Sequence, residues 1–189
     1  MRVSRFSLFA AVLAVGLLSG CGPTWKVVMA SDPTQLGNAN SVAVQFDYSQ
    51  LYVGKYTAEQ WKAEQLAKDP AYQTTWDDLI TKYESYFLQG LKRAVPGAHP
   101  AAEGPGDVTL TVKPQSLTMG KYVVVARTAT SVTTLVSAHA GEGEDTDIIS
   151  MTASYPASVT QPSVFQHIGH VGENLGAQTG RFLESKKAK

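Results

Sequence analysis

Few side chains in this 189-residue chain have the type and spacing that could do chemistry. The first is Cys21, the single cysteine. It follows an apolar run from Phe6 to Leu18 and the small residues Ser19 and Gly20. A basic flank (Arg2, Arg5), a short apolar stretch and small residues at its end are the three parts of a secretory signal. A spanning helix needs about 20 apolar residues, more than this run holds. Cleavage between Gly20 and Cys21 would make the cysteine the new N-terminus, with its sulfur and its amino group both open to acylation.

The second group is His167 and His170, whose spacing of three can present two imidazoles to one metal ion. Glu142, Glu144, Asp145 and Asp147 offer carboxylates, but without the ordered ligand spacing of a calcium-binding loop. A solvated helix face explains the histidines without a ligand, and a solvated hairpin tip explains the acids. Neither a G-x-S-x-G elbow nor an H-E-x-x-H or P-loop pattern is present. Gly169, Gly172 and Gly176 fall inside a helical pattern rather than at a phosphate-cradling turn, and Ser137 beside His139 is a pairing that chance produces easily. The chain therefore reads as non-enzymatic, with no catalytic residue, resident metal or cofactor.

The third group is aromatic: Tyr48, Tyr52, Tyr56 and Trp61, then Trp76, Tyr83 and Tyr86. Most suit core and rim. An exposed subset, with Tyr52, Tyr56 and Trp61 as the candidates, would combine apolar area with a polar handle for a protein or glycan partner.

Composition narrows the classes. Without residues 1–20 the chain keeps 14 basic residues against 16 acidic, a formal charge of about −2. That is no electrostatic footprint for nucleic acid. With Cys21 acylated no thiol remains, which excludes disulfides, cysteine–metal sites and cysteine nucleophiles. The remaining 169 residues suit one domain.

The elements that must position these groups follow in order. Residues 21–40, with Pro23, Pro33 and Gly37, read as a lipidated N-terminus and tether, in which Trp25, Val27, Val28 and Met29 suit a short edge strand. Residues 41–189 form the domain. Val42, Val44, Phe46 and Tyr48 alternate with smaller or polar residues as in a half-buried strand. Thr57 and Gln60 form a capping box that opens a helix ended by Asp69-Pro70. Thr75 is expected to cap a longer helix, with Asp77 and Asp78 in its first turn and Leu79, Ile80, Tyr83, Phe87, Leu91 and Ala94 on one face. Residues 95–107 read as a Pro/Gly-rich loop. Three strands follow: from Val108 until Pro114 ends clean pairing, a long one from Tyr122 to His139 bending near Arg127, and one from Ile148 to Tyr155. A last helix spans Ser163 to Lys186, with Gly169, Gly172, Gly176 and Gly180 beside its apolar face. Glycine in a helix interior costs about 1 kcal/mol relative to alanine, so the stripe predicts close approach, expected here to the sheet. The order β-α-α-β-β-β-α implies an α+β fold: a largely antiparallel sheet of about four strands with two long helices on one face.

Leu18-Ser19-Gly20-Cys21 resembles the lipobox of bacterial lipoproteins. The resemblance implies a diacylglycerol on the Cys21 sulfur and a further acyl chain on its amine. Each buried CH₂ adds about 0.8 kcal/mol, and two or more chains hold stably where one does not. Gly22 rather than Asp after the cysteine implies the outer membrane, facing the periplasm, with inner membrane and cell surface as the other placements. The element order over residues 41–186 and the glycine-spaced last helix resemble the amino-terminal domain of TolB and the CsgG-like assembly lipoproteins. That likeness implies an adaptor. The expectation is a lipid-anchored envelope lipoprotein, a non-enzymatic periplasmic interaction or assembly module with an envelope protein partner. Two alternatives stand beside it: a carrier of a lipid or other apolar ligand, and a metal-dependent hydrolase built on His167 and His170.

Overall fold

The computed structural model describes residues 25–26, 36, 39–120, 122–123, 126–141, 143–157 and 163–187, with backbone alone at 25–26, 122–123 and 126–127. The signal segment, the Leu18–Cys21 motif and most of the tether lie outside the described residues.

The domain is α+β, with three helices among the described residues and a mixed main sheet of eight strands. At its centre are β2 (Val42–Phe46) and β6 (Val108–Thr118), which run parallel from Val42↔Val108 to Phe46↔Val112. β9 (Ala129–Ala140) is antiparallel to β6, and β10 (Thr146–Pro156) is antiparallel to β9. The edges are β1 (Trp25–Lys26) on β10 and β5 (Ala98–Pro100) on β2. β3 (Tyr52–Val53) joins the far end of β6 in parallel at Ser116 and Leu117, and β4 (Tyr56–Thr57) pairs with β3. A separate two-stranded hairpin, β7 (Tyr122–Val123) and β8 (Ala126–Arg127), falls between β6 and β9 in the chain.

Several expectations are corrected here. The sheet has twice the expected strands because β1, β3, β4 and β5 are only two or three residues long, too short for a period-2 pattern to register. β5 lies within the stretch expected to be loop, and its parallel pairing with β2 makes the sheet mixed rather than largely antiparallel. β2 stops at Phe46 instead of continuing to Tyr48, because the Asp47 carboxylate accepts the Ser49 N–H at 2.9 Å and turns the chain. Pro114 interrupts β6 without ending it. Having no N–H to give, it sits at a register shift between Pro114 and Ser116, and pairing resumes to Thr118. The long strand expected from Tyr122 divides into β7, β8 and β9.

α1 (Ala58–Lys68) carries the expected capping box: Gln60 N–H donates to Thr57 Oγ1 at 3.2 Å, and Thr57 N–H to Gln60 Oε1 at 3.1 Å. α2 (Tyr72–Lys92) begins one turn before Thr75, on Ala71, which has no capping side chain. The Asp69 carboxylate replaces that cap by accepting the Ala71 N–H at 2.9 Å, and Asp77 and Asp78 therefore fall beyond the first turn. α3 (Val164–Glu184) opens on a second capping box, Ser163 with Gln166.

Strand alternation sends Val42, Val44, Leu110, Val112, Val136, Ile149 and Met151 to one sheet face, where Tyr83, Phe87 and Leu91 of α2 and Ile168, Val171 and Leu175 of α3 complete the core. The glycine stripe of α3 faces α2, not the sheet as expected. A Cβ on Gly172 would lie 2.6 Å from the Tyr83 carbonyl oxygen, one on Gly180 2.7 Å from the Ala94 Cβ, and one on Gly90 of α2 2.9 Å from the Ala177 nitrogen. The helices meet backbone to backbone, and dispersion contacts over that length repay the propensity lost at each glycine.

Candidate functional site

The aromatic candidates occupy one corner of the domain. β2 leaves the edge of β6 after Phe46, and β3 rejoins that edge only at Ser116. The gap between them is a cleft of about 320 Å³ lined by Ser49, Gln50, Leu51, Tyr52, Thr57 and Gln115. Tyr52 stands at its edge, 49% exposed, the one large hydrophobic side chain so exposed among the described residues. Beside it Gly54 takes a left-handed φ of +62°, which returns the chain from β3 into β4. The corner thus combines an aromatic face with the amides of Gln50 and Gln115 and the hydroxyls of Ser49 and Thr57.

Tyr56 and Trp61 are placed differently from Tyr52. Their rings lie 6.2 Å apart, half-buried, with the Lys55 ammonium 5.1 Å from the Tyr56 ring centre. Trp61 Nε1–H donates to the Tyr72 hydroxyl at 3.0 Å and so ties α1 to α2. Of the three candidates, Tyr52 alone is exposed and lines the cleft, while Tyr56 and Trp61 are half-buried against each other. Sequence reasoning missed Gln50, Thr57 and Gln115, because the break that exposes them is a matter of strand pairing.

The histidines are held by structural contacts. His167 is fully buried, with Nδ1 2.9 Å from Thr130 Oγ1, which also accepts the Gly120 N–H at 3.0 Å. His170 stacks on Tyr155, centroids 4.5 Å apart at 14°. The solvated face expected for the pair is therefore corrected: His167 is interior and His170 lies beneath an aromatic ring. Among the described residues no three His, Cys, Asp or Glu side chains converge in a metal-binding arrangement.

The sheet face away from the helices carries a polar network that single-strand alternation could not assemble. Lys113 Nζ–H donates to Ser137 Oγ at 2.8 Å, and Ser137 O–H donates to Asp147 Oδ1 at 2.6 Å. His139 Nδ1–H donates to Asp145 Oδ1 at 2.7 Å, Asp145 Oδ2 lies 3.5 Å from the Lys113 ammonium, and Gln45 donates to Thr111 at 2.8 Å. Partial burial is the largest influence on Asp145 and pushes its carboxyl up, but hydrogen bonds from His139 and Thr111 and the Lys113 charge together hold it below the usual range. Serine beside lysine invites comparison with a nucleophile and its base. Here, though, Ser137 is wholly buried, accepts a hydrogen bond from the ammonium and donates its own to a carboxylate. A lysine that donates to the hydroxyl cannot deprotonate it in this arrangement. The network fastens the acidic hairpin to β6 and β9.

A third feature lies under the helices. Tyr48, Leu51, Leu79, Tyr83, Leu117 and Ile168 help to line an apolar cavity of about 10 Å³, room for about one water. Tyr48 O–H donates to Glu84 Oε1 at 3.0 Å. Burial raises the Glu84 carboxyl, and the Tyr48 hydrogen bond offsets only part of this.

No family model matches the chain, and no curated protein does. Among solved structures the chain is similar to the PelC dodecamer from Paraburkholderia phytofirmans, at 12% identity over 89% of this chain and 99% of that one, with a TM-score of 0.46. A methionine variant of the same dodecamer gives 12% identity, 86% and 98% coverage and a TM-score of 0.44.

Proposed function

We propose that this chain is a lipid-anchored bacterial envelope lipoprotein, held at the outer membrane through acylated Cys21 and facing the periplasm, where it acts as a non-enzymatic interaction or assembly module for another envelope protein. The anchor rests on Leu18-Ser19-Gly20-Cys21, and the adaptor role was first implied by the resemblance to TolB-like and CsgG-like lipoproteins. The single observation that supports a binding role is the cleft beside Tyr52. It is open, polar at its base and aromatic at its edge, and its size falls within the range of ligand and side-chain pockets.

The alternatives find less support. An apolar cavity of about 10 Å³ is far smaller than an acyl chain needs, which weakens the carrier reading. The hydrolase reading requires His167 and His170 to turn towards one ion, yet one is buried against Thr130 and the other stacked on Tyr155. A photo-crosslinking residue in place of Tyr52, tested in intact membranes, should capture an envelope protein that the same probe at Ser154 does not. A probe at position 52 that captures nothing while the chain remains membrane-bound would remove the binding role and leave the anchor.

A further inference from the structure

We infer that the groove between the outer edge of β2 and α2 is a docking site for an extended basic segment of a partner protein, with one lysine side chain of that segment paired to Glu84. The inference goes beyond the anchored reading above and depends neither on Cys21 nor on the cleft beside Tyr52.

The strand edge comes first. Val42 N–H donates to the Gly97 carbonyl at 3.3 Å, and Asp47 N–H donates to the Val112 carbonyl at 2.9 Å. The backbone groups of successive residues turn to opposite edges of a strand. Val42, Val44 and Phe46 therefore present their N–H and C=O groups to the β5 side, while Asp47 turns to β6. Pairing with β5 ends at Val44↔Pro100. Beyond it the chain enters a short 3-10 turn, Ala101–Glu103, whose Ala101 carbonyl accepts the Gly104 N–H at 3.2 Å. Phe46 thus offers both backbone groups at an edge that no strand of the described residues covers. Such an edge is a template for an added strand.

Beside the edge lies an open groove of about 280 Å³, lined by Val44, Phe46, Leu88, Pro100 and Ala102 among others, with Glu84 as its one charged group. Ile80 and Leu88 stand one turn to either side of Glu84 on α2. Its Oε1 accepts the Tyr48 O–H at 3.0 Å, and no lysine or arginine among the described residues pairs with it. Burial raises its carboxyl, as expected of a charge that the fold leaves uncompensated. An incoming ammonium supplies the missing charge.

The chemistry of the occupant follows from the pairing. Residues directly opposite each other on paired strands project to the same sheet face. Phe46 projects to the helix face, its ring centroid 5.6 Å from that of Phe87 and 6.0 Å from that of Tyr83. A residue set opposite Phe46 on an added strand therefore points towards α2, where Glu84 and Leu88 lie. Lysine fits there better than arginine. The Tyr48 hydroxyl engages one carboxylate oxygen, which favours a point charge on the other over the two-oxygen fork of a guanidinium. The apolar walls suit the methylene stem of lysine. Main-chain bonds to Phe46 would give affinity, and the pocket at Glu84 would give specificity.

The test uses the isotope-labelled full chain and the probe peptide acetyl-Val-Lys-Val-amide, read by amide chemical shifts. The peptide should shift the signals of Phe46, Leu88 and Ala101, and norleucine in place of its lysine should weaken binding about tenfold. Glu84→Gln, which keeps the shape and can still accept from Tyr48, should erase the preference for lysine and leave distant signals in place. Equal binding of the lysine and norleucine peptides, or no shift at the three amides, overturns the inference. So does n-butylamine bound as tightly as the peptide, which would make the ligand a free amine and not a strand. Phe46 and Leu88 signals that move with protein concentration alone would seat a second copy of the chain in the groove and overturn it as well.

Discussion

Gly176 of α3 rests against the Phe87 carbonyl of α2, so close that a Cβ on Gly176 would lie far inside van der Waals contact with that oxygen. Gly172 and Gly90 repeat the relationship one turn away, while Gly169 meets only the Tyr86 ring and the end of Lys82.

The stripe should therefore be unequal to substitution. Gly176→Ala must push two backbones apart and should cost about 3 kcal/mol. Gly169→Ala lies 3.1 Å from a side chain that can move, and should range from neutral to about 1 kcal/mol more stable through better helix propensity. Urea unfolding of both variants decides it, and equal effects would mean that α2 does not lie along this stripe.

Tyr83 is buried in the core, where its hydroxyl and Thr134 Oγ1 approach each other without closing a hydrogen bond. Burial pushes that hydroxyl well above the usual tyrosine range. Tyr83→Phe removes an unpaired polar atom and keeps the edge contact with Phe46, centroids 6.0 Å apart. It should stabilise the fold by up to about 1 kcal/mol, whereas Tyr83→Ala should cost about 4 kcal/mol. Thermal denaturation of both reads the difference.

Acid and neutral stability should depend on different carboxylates. The backbone N–H groups of Ser41 and Asn40 donate to Asp107 at 3.0 and 2.9 Å and hold its carboxyl below the ordinary aspartate value of 3.8. A folded-state pKa below the unfolded one stabilises above about 3.8, and the gain is lost as pH falls through the folded value. Asp107→Asn should flatten that acid limb. Glu84 is the opposite case: burial raises it above 4.5, so stability falls as pH climbs from 4.5 to its folded pKa. Glu84→Gln should make the fold more stable at pH 7 and remove that slope. Unfolding free energies between pH 3 and pH 7 test both signs.

Cys21→Ala should move the chain from the membrane fraction to the soluble periplasm, and the wild-type chain should show the mass of its acyl groups on Cys21. A Cys21→Ala chain that remains in the membrane fraction would show that something other than the lipobox holds it.

Much of the fold was legible before the structure because it depends on chain neighbours. The Thr57/Gln60 capping box is a contact across three residues, and the apolar face of α2 follows from a 3.6-residue period. The long strands β6, β9 and β10 show the alternation that burial of one face imposes. Thr75 misled because the Asx turn at Asp69 supplies the cap from two residues before the N-cap position, Ala71.

What the tertiary structure alone decided concerns pairs distant in sequence. Glycine spacing showed that α3 must approach something closely, but a stripe of hydrogen atoms accepts a helix or a sheet equally well, and only packing chose α2. Lys113, Ser137 and Asp147 come together only through the cross-strand register of β6, β9 and β10, which no single strand's alternation specifies. Tyr52 differs from Tyr56 and Trp61 because β2 and β3 leave a gap along β6, and no local pattern encodes a gap. The sequence by itself determined the fold class, and it supplied the proposed anchor motif and the aromatic candidates, since each is written in residue type and short spacing. The structure selected one exposed aromatic and one cleft, because exposure depends on which distant segments fold over a side chain.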